Sequence, residues 1–289
     1  MSSPVSDSKL QSINLQKPVT ISLNDRLSVR LYGDSRPHCM ETAALQKGLV
    51  LMFDNEELIE EGIGFGVPVV KYEDKTYFSS SSEVSVQKDH LVYRVKKTFI
   101  LDTISKKLWR KSYIDDEFYS LWHERFAKLY LSHWALPSLL NKLMELRQFA
   151  KVETQFLKVK SRGAVTVKYE IQPSVINVSV DFSDLMLGDC QEILMLNEQG
   201  STIFGDYADA DGLKLIRNKI GAWATVNAAG ASLLNTRKQL FFSLLKTRGA
   251  TLFKGYEKTR NRFSWAGLSY SLQPNNETFN YSIILGCKA

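Results

Sequence analysis

GAVTVKYEIQPSVINVSVDF (residues 163–182) alternates apolar and polar residues twice, on either side of a proline-containing turn. Val165, Val167, Tyr169 and Ile171 share one face of an extended chain, and Thr166, Lys168 and Glu170 share the other. Ile176, Val178, Val180 and Phe182 repeat the pattern. The linkers SRG (161–163) and QPS (172–174) are short enough to join antiparallel neighbours. This period of two predicts strands with one buried face, and it sets the fold class.

The same signal extends in both directions. VTISL, LSVRLYG, LVLMF, VPVVKY, KTYF, EVSV and HLVYRV are short, β-rich runs between Val19 and Val95, each bounded by turn residues. KKTFILDTISKKLWRKSY (96–113) reads as a basic hairpin turning at Asp102 to Lys106. Near the C-terminus KQLFFSLLK, ATLFKGYEK, RFSWAGLSYSL and TFNYSIILG are longer than ordinary strands and suit a large sandwich. Between these regions the period changes. Phe118, Trp122, Phe126, Leu129 and His133 follow steps of three and four, which is one face of an amphipathic helix. Pro137 ends it and opens a second, with Leu139, Leu140, Leu143 and Met144 buried. The expected fold is mainly β: a large two-sheet antiparallel β-sandwich over residues 17–289, with a helical pair inserted at 115–150. Residues 1–16 read as a disordered tail.

The charge balance, 37 Lys plus Arg against 31 Asp plus Glu, is modest and spread along the chain. It permits an anionic partner without requiring one, and nucleic acid is not the expected partner. Three cysteines with no C-x-x-C pair support neither a disulfide framework nor a zinc ribbon. No apolar run approaches the ~18 residues of a membrane span, and the N-terminus lacks a signal-peptide core. The expectation is a soluble, cytoplasmic protein without a cofactor.

EEGIGFGVPVVKYEDKTYFS (60–79) places glycines at 62, 64 and 66. The spacing is G-x-G-x-G followed by extended-chain residues, so it fits neither a dinucleotide fingerprint nor a P-loop. A strand face without Cβ atoms admits a close neighbour: another backbone, an aromatic ring or a ligand. Gly64, Gly66 and Tyr77 are therefore candidate ligand contacts. LYGDSRPHCMETA (31–43) gathers the densest set of reactive side chains. His38 with Glu41 could form an acid/base pair and Arg36 could hold an anionic group, or the stretch could be a polar surface loop. In LNEQGSTIFGDYADADGL (196–213), Glu198 and Asp206 could line a pocket. Asp209 and Asp211 are weak metal candidates, because the D-x-D-G fragment lacks the remaining ligands of a calcium loop.

Many long antiparallel strands, together with the stretches at 60–79 and 196–213, resemble the supersandwich proteins typified by galactose mutarotase. The resemblance spans the β portion in style, and that family's catalytic His and Glu find no residue-by-residue match here. It implies a concave sheet able to hold a sugar, so a small-molecule or saccharide ligand is expected, with acid/base chemistry of an epimerase, lyase or hydrolase type. The alternative is a non-catalytic binding or assembly protein, using an apolar cavity or a homodimer face on helices 115–150.

Overall fold

The computed structural model describes residues 18–33, 45–59, 62–73, 75–89, 92–110, 151–258, 264–274 and 277–287, leaving aside the side chains of 106–110, 151–155 and 258. Contacts divide the chain into two units, Met1–Ile104 with Leu157–Ala289, and Ser105–Phe156. Among the described residues nineteen strands belong to one hydrogen-bonded sheet, and every pairing is antiparallel.

The alternating stretch forms β9 (Ala164–Ile171) and β10 (Val175–Asp181), a hairpin closed by Gln172 N–H donating to Val175 O at 3.0 Å. Val165, Val167, Tyr169, Ile176, Val178 and Val180 are all buried, as the period requires. From β9 the sheet continues through β7 (Val92–Arg110) and β6 (Lys75–Asp89) to β5 (Gly64–Tyr72), β11 (Cys190–Gln199), β18 (Ser264–Leu272) and β17 (Ala250–Lys258). From β10 it runs the other way through β19 (Thr278–Cys287) to β16 (Leu240–Leu245).

These two arms face each other. Tyr169 on β9 donates its hydroxyl to Phe65 O and Gly66 O on β5, at 3.1 and 3.0 Å. Tyr281 on β19 donates to Asn197 Oδ1 on β11 at 3.0 Å, and the rings of Phe65 and Phe242 meet edge-on at 5.1 Å. The sheet thus folds over on itself around a shared apolar core, and Tyr169, Asn197 and Tyr281 find polar partners between its layers.

The fold-over is eased at a bulge in β6, where the register against β7 shifts around Ser79 and Ser81. Asp102 of β7 holds this bulge: it accepts from the Ser80 N–H and hydroxyl and from the Ser81 hydroxyl, at 2.9 to 3.0 Å. Burial pushes the Asp102 carboxyl up, but those donors and Lys158 outweigh it and hold the group below the ordinary carboxylate range.

The expected architecture is corrected in two respects. The strands form one continuous sheet, not two. The inserted helical pair is not supported: among the described residues there is no α-helix, only a 3-10 turn at Arg217–Ile220, and 115–150 lies outside them. Both described flanks are extended. The supposed hairpin at 96–113 continues as strand β7 to Arg110, because the polar residue taken for its turn, Asp102, is satisfied inside the sheet. Lys151, the residue that follows the expected helical pair, opens β8 (Lys151–Lys158).

Candidate functional site

The glycine ladder is a bulge. Leu196 of β11 pairs with Val67, but the next residue, Asn197, pairs with Phe65, which leaves Gly66 unmatched. Gly66 has φ +75°, and a Cβ there would overlap the Tyr169 ring, at 2.6 Å from its hydroxyl. The extra residue lets Phe65 and Gly66 both face the core and turns Gly64 to the opposite face. Gly64, at φ +86°, lies under the crossing Gly48–Leu49 backbone, where a Cβ would sit 2.7 Å from Leu49 O.

On that opposite face Gly64 pairs with Glu198, Glu198 with Gly267, and Gly267 with Gly255. Directly paired residues share a face. The row Gly64–Glu198–Gly267–Gly255 therefore sets one carboxylate among three glycines across β5, β11, β18 and β17, and each glycine is closely covered by a neighbour. The Glu198 chain lies over Gly267, where a Cβ would come within 2.9 Å of Cγ, and the Trp265 ring lies over Gly255. Trp265 donates its indole N–H to Glu257 at 3.2 Å, and its ring stands 5.1 Å from that of Trp223. Trp223 is 40% exposed and holds φ +54°, a left-handed conformation that is costly for a bulky side chain. On the other side Lys47 donates to Gly62 O at 3.2 Å, beside Glu198.

Glu198 is 7% exposed. Burial pushes its carboxyl up to about 7, against the opposing pull of Lys47 and the Ile63 N–H, with Glu257 adding to the rise. Near neutrality this group is divided between acid and base forms, the condition a proton-transfer group needs.

The remaining sequence candidates lie elsewhere. Arg36, His38 and Glu41 fall outside the described residues. Tyr77 packs edge-on against Tyr72 at 5.3 Å, with the Arg162 guanidinium over both rings. Asp206 accepts from Thr236 at 2.8 Å on β12 (Asp206–Asp209), apart from Glu198. Asp209 closes its turn by accepting from the N–H groups of Asp211 and Leu213 and from the Tyr207 hydroxyl. No group of three metal-ligating side chains occurs among the described residues, nor does any helix long and apolar enough to cross a membrane. Sequence reasoning missed Lys47, Trp223, Glu257 and Trp265. The Gly267–Gly255 clearing two strands away was the signal that could have found the indole pair.

No family profile and no curated protein matches the chain. Among solved structures, the Slr1438 protein of Synechocystis sp. PCC 6803 is similar at 9% identity and a TM-score of 0.38, over 96% of this chain and 99% of that one. A candidate aldose 1-epimerase of Escherichia coli K12 is similar at 7% identity and a TM-score of 0.38, over 94% and 99%. At that TM-score neither likeness decides this chain's activity.

Proposed function

We propose that the Glu198 face binds a carbohydrate or similarly polar small molecule and transfers a proton to or from it. The carrying observation is a buried carboxyl, pushed up to about 7, in a row of glycines beside a close, tilted indole pair. Indole faces cover the apolar side of a sugar ring, while a carboxyl exchanges a proton with a hydroxyl or ring oxygen. The backbone strain at Trp223 agrees with this reading, since costly conformations gather where a side chain has a task. His38 is the proposed second proton-transfer group and Arg36 the anion clamp, with Glu41 as partner to His38. In the sequence their stretch precedes Lys47, which stands beside Glu198.

Tryptophan fluorescence, titrated with monosaccharides, oligosaccharides and uronates, tests the proposal. At least one class should change the emission and raise the melting temperature, because a ligand selective for the folded state must stabilise it. Trp223→Ala should abolish the spectral change. A panel that moves neither reading would overturn the proposal.

A further inference from the structure

On the other arm of the sheet lies an open groove of about 630 Å³, formed on the solvent face of β6, β7, β9, β10 and β19. Its floor is laid out by register. Ser85, Lys96, Lys168, Ser179 and Asn280 are successive partners across the five strands. The adjoining row carries Arg94, Glu170, Asn177 and Ser282. Five strands about 4.8 Å apart make each row roughly 19 Å long, longer than one sugar ring.

Lys96 and Lys168 stand directly opposite each other, an arrangement that destabilises a sheet. Both are exposed, and neither forms an ion pair among the described residues. Asp181, whose charge both lysines feel, already accepts from the N–H and hydroxyl of Ser183. Among the described residues Arg94 pairs with Asp89, both half exposed, at 3.0 Å. Folding alone gives no reason to bring two lysines together here, and an anion placed over them would. Apart from Arg94 and Glu170, the flanking polar residues carry hydroxyls and amides, suited to a hydroxylated ligand. The two tyrosines of the lining, Tyr169 and Tyr281, direct their hydroxyls into the core, so no ring offers a platform for stacking bases.

We infer that this groove binds an acidic oligosaccharide, with Lys96 and Lys168 holding a carboxylate of a uronate residue and the serines and asparagines of the two rows holding its hydroxyls. It is a second site, independent of Glu198.

Isothermal titration with trigalacturonate, set against cellotriose and citrate, tests the inference. The parent should bind trigalacturonate, at least tenfold more tightly than either control, and more weakly as salt rises. The exposed double variant Lys96→Ser/Lys168→Ser should lose tenfold or more, and Lys96→Arg/Lys168→Arg should restore most of it. Glu198→Gln should bind as the parent does, which separates this groove from the site above. Equal affinity in the Ser variant, equal affinity for citrate, or no binding by the parent would overturn the inference.

Discussion

Glu198 makes the protein's stability depend on pH in a stated direction. Burial pushes its carboxyl from an ordinary 4.5 up to about 7 in the folded chain. Between those values the folded chain holds the extra proton, so stability falls as pH rises. The contribution is complete below 4.5 and lost through 7, amounting to roughly 3 kcal/mol by about pH 8. Glu198→Gln, an uncharged isostere, should flatten this slope in urea melts and gain on the parent as pH rises. Parallel slopes would show that the group titrates normally. Gly64 allows a second prediction. Gly64→Val must enter a left-handed backbone under Leu49 O, and should lose at least the ~1–3 kcal/mol typical of overpacking. Denaturant melts that overlay the parent would refute the crossing. The glycine spacing was legible in the sequence as a place of close approach. Which neighbour approached was not, because Leu49, Tyr169 and Glu198 lie on distant strands.

At the scale of elements, period two identified β9 and β10 because one face of each is buried, whereas β18 is buried on both and showed only as a long β-rich run. It failed in 96–113 because Asp102 is a turn residue by type. Its burial is tolerated only through Ser80 and Ser81, more than twenty residues earlier. Asp102→Asn keeps the shape but cannot accept from all these donors, and should cost about 1–3 kcal/mol at neutral pH. The folded carboxyl lies below its ordinary value, so this stability exists above the unfolded pKa and is lost as pH falls through the folded one. Urea melts at neutral pH and at about pH 3 should show the gap between parent and variant narrowing in acid. A gap independent of pH would mean that the carboxylate does not hold the bulge.

Across the whole molecule, long-range pairing sets what the chain can do. Strand β9 pairs back to β7 across residues 111–150, and β10 pairs with β19 nearly a hundred residues later. No local pattern announces such partners, so the alternation predicted strands but not the single folded sheet. The two candidate sites follow from that sheet: β5–β11–β18–β17 supplies the glycine row of Glu198, and β6–β7–β9–β10–β19 supplies the polar groove. The central claim is that Glu198 is a proton-transfer group within a ligand site. Carbon-13 NMR of glutamate carboxyls, with Glu198 assigned by Glu198→Gln and titrated with and without the saccharide panel, measures this directly. The account predicts a Glu198 midpoint near 7 that moves when a saccharide binds; a midpoint near 4.5, or one that no saccharide shifts, would contradict it.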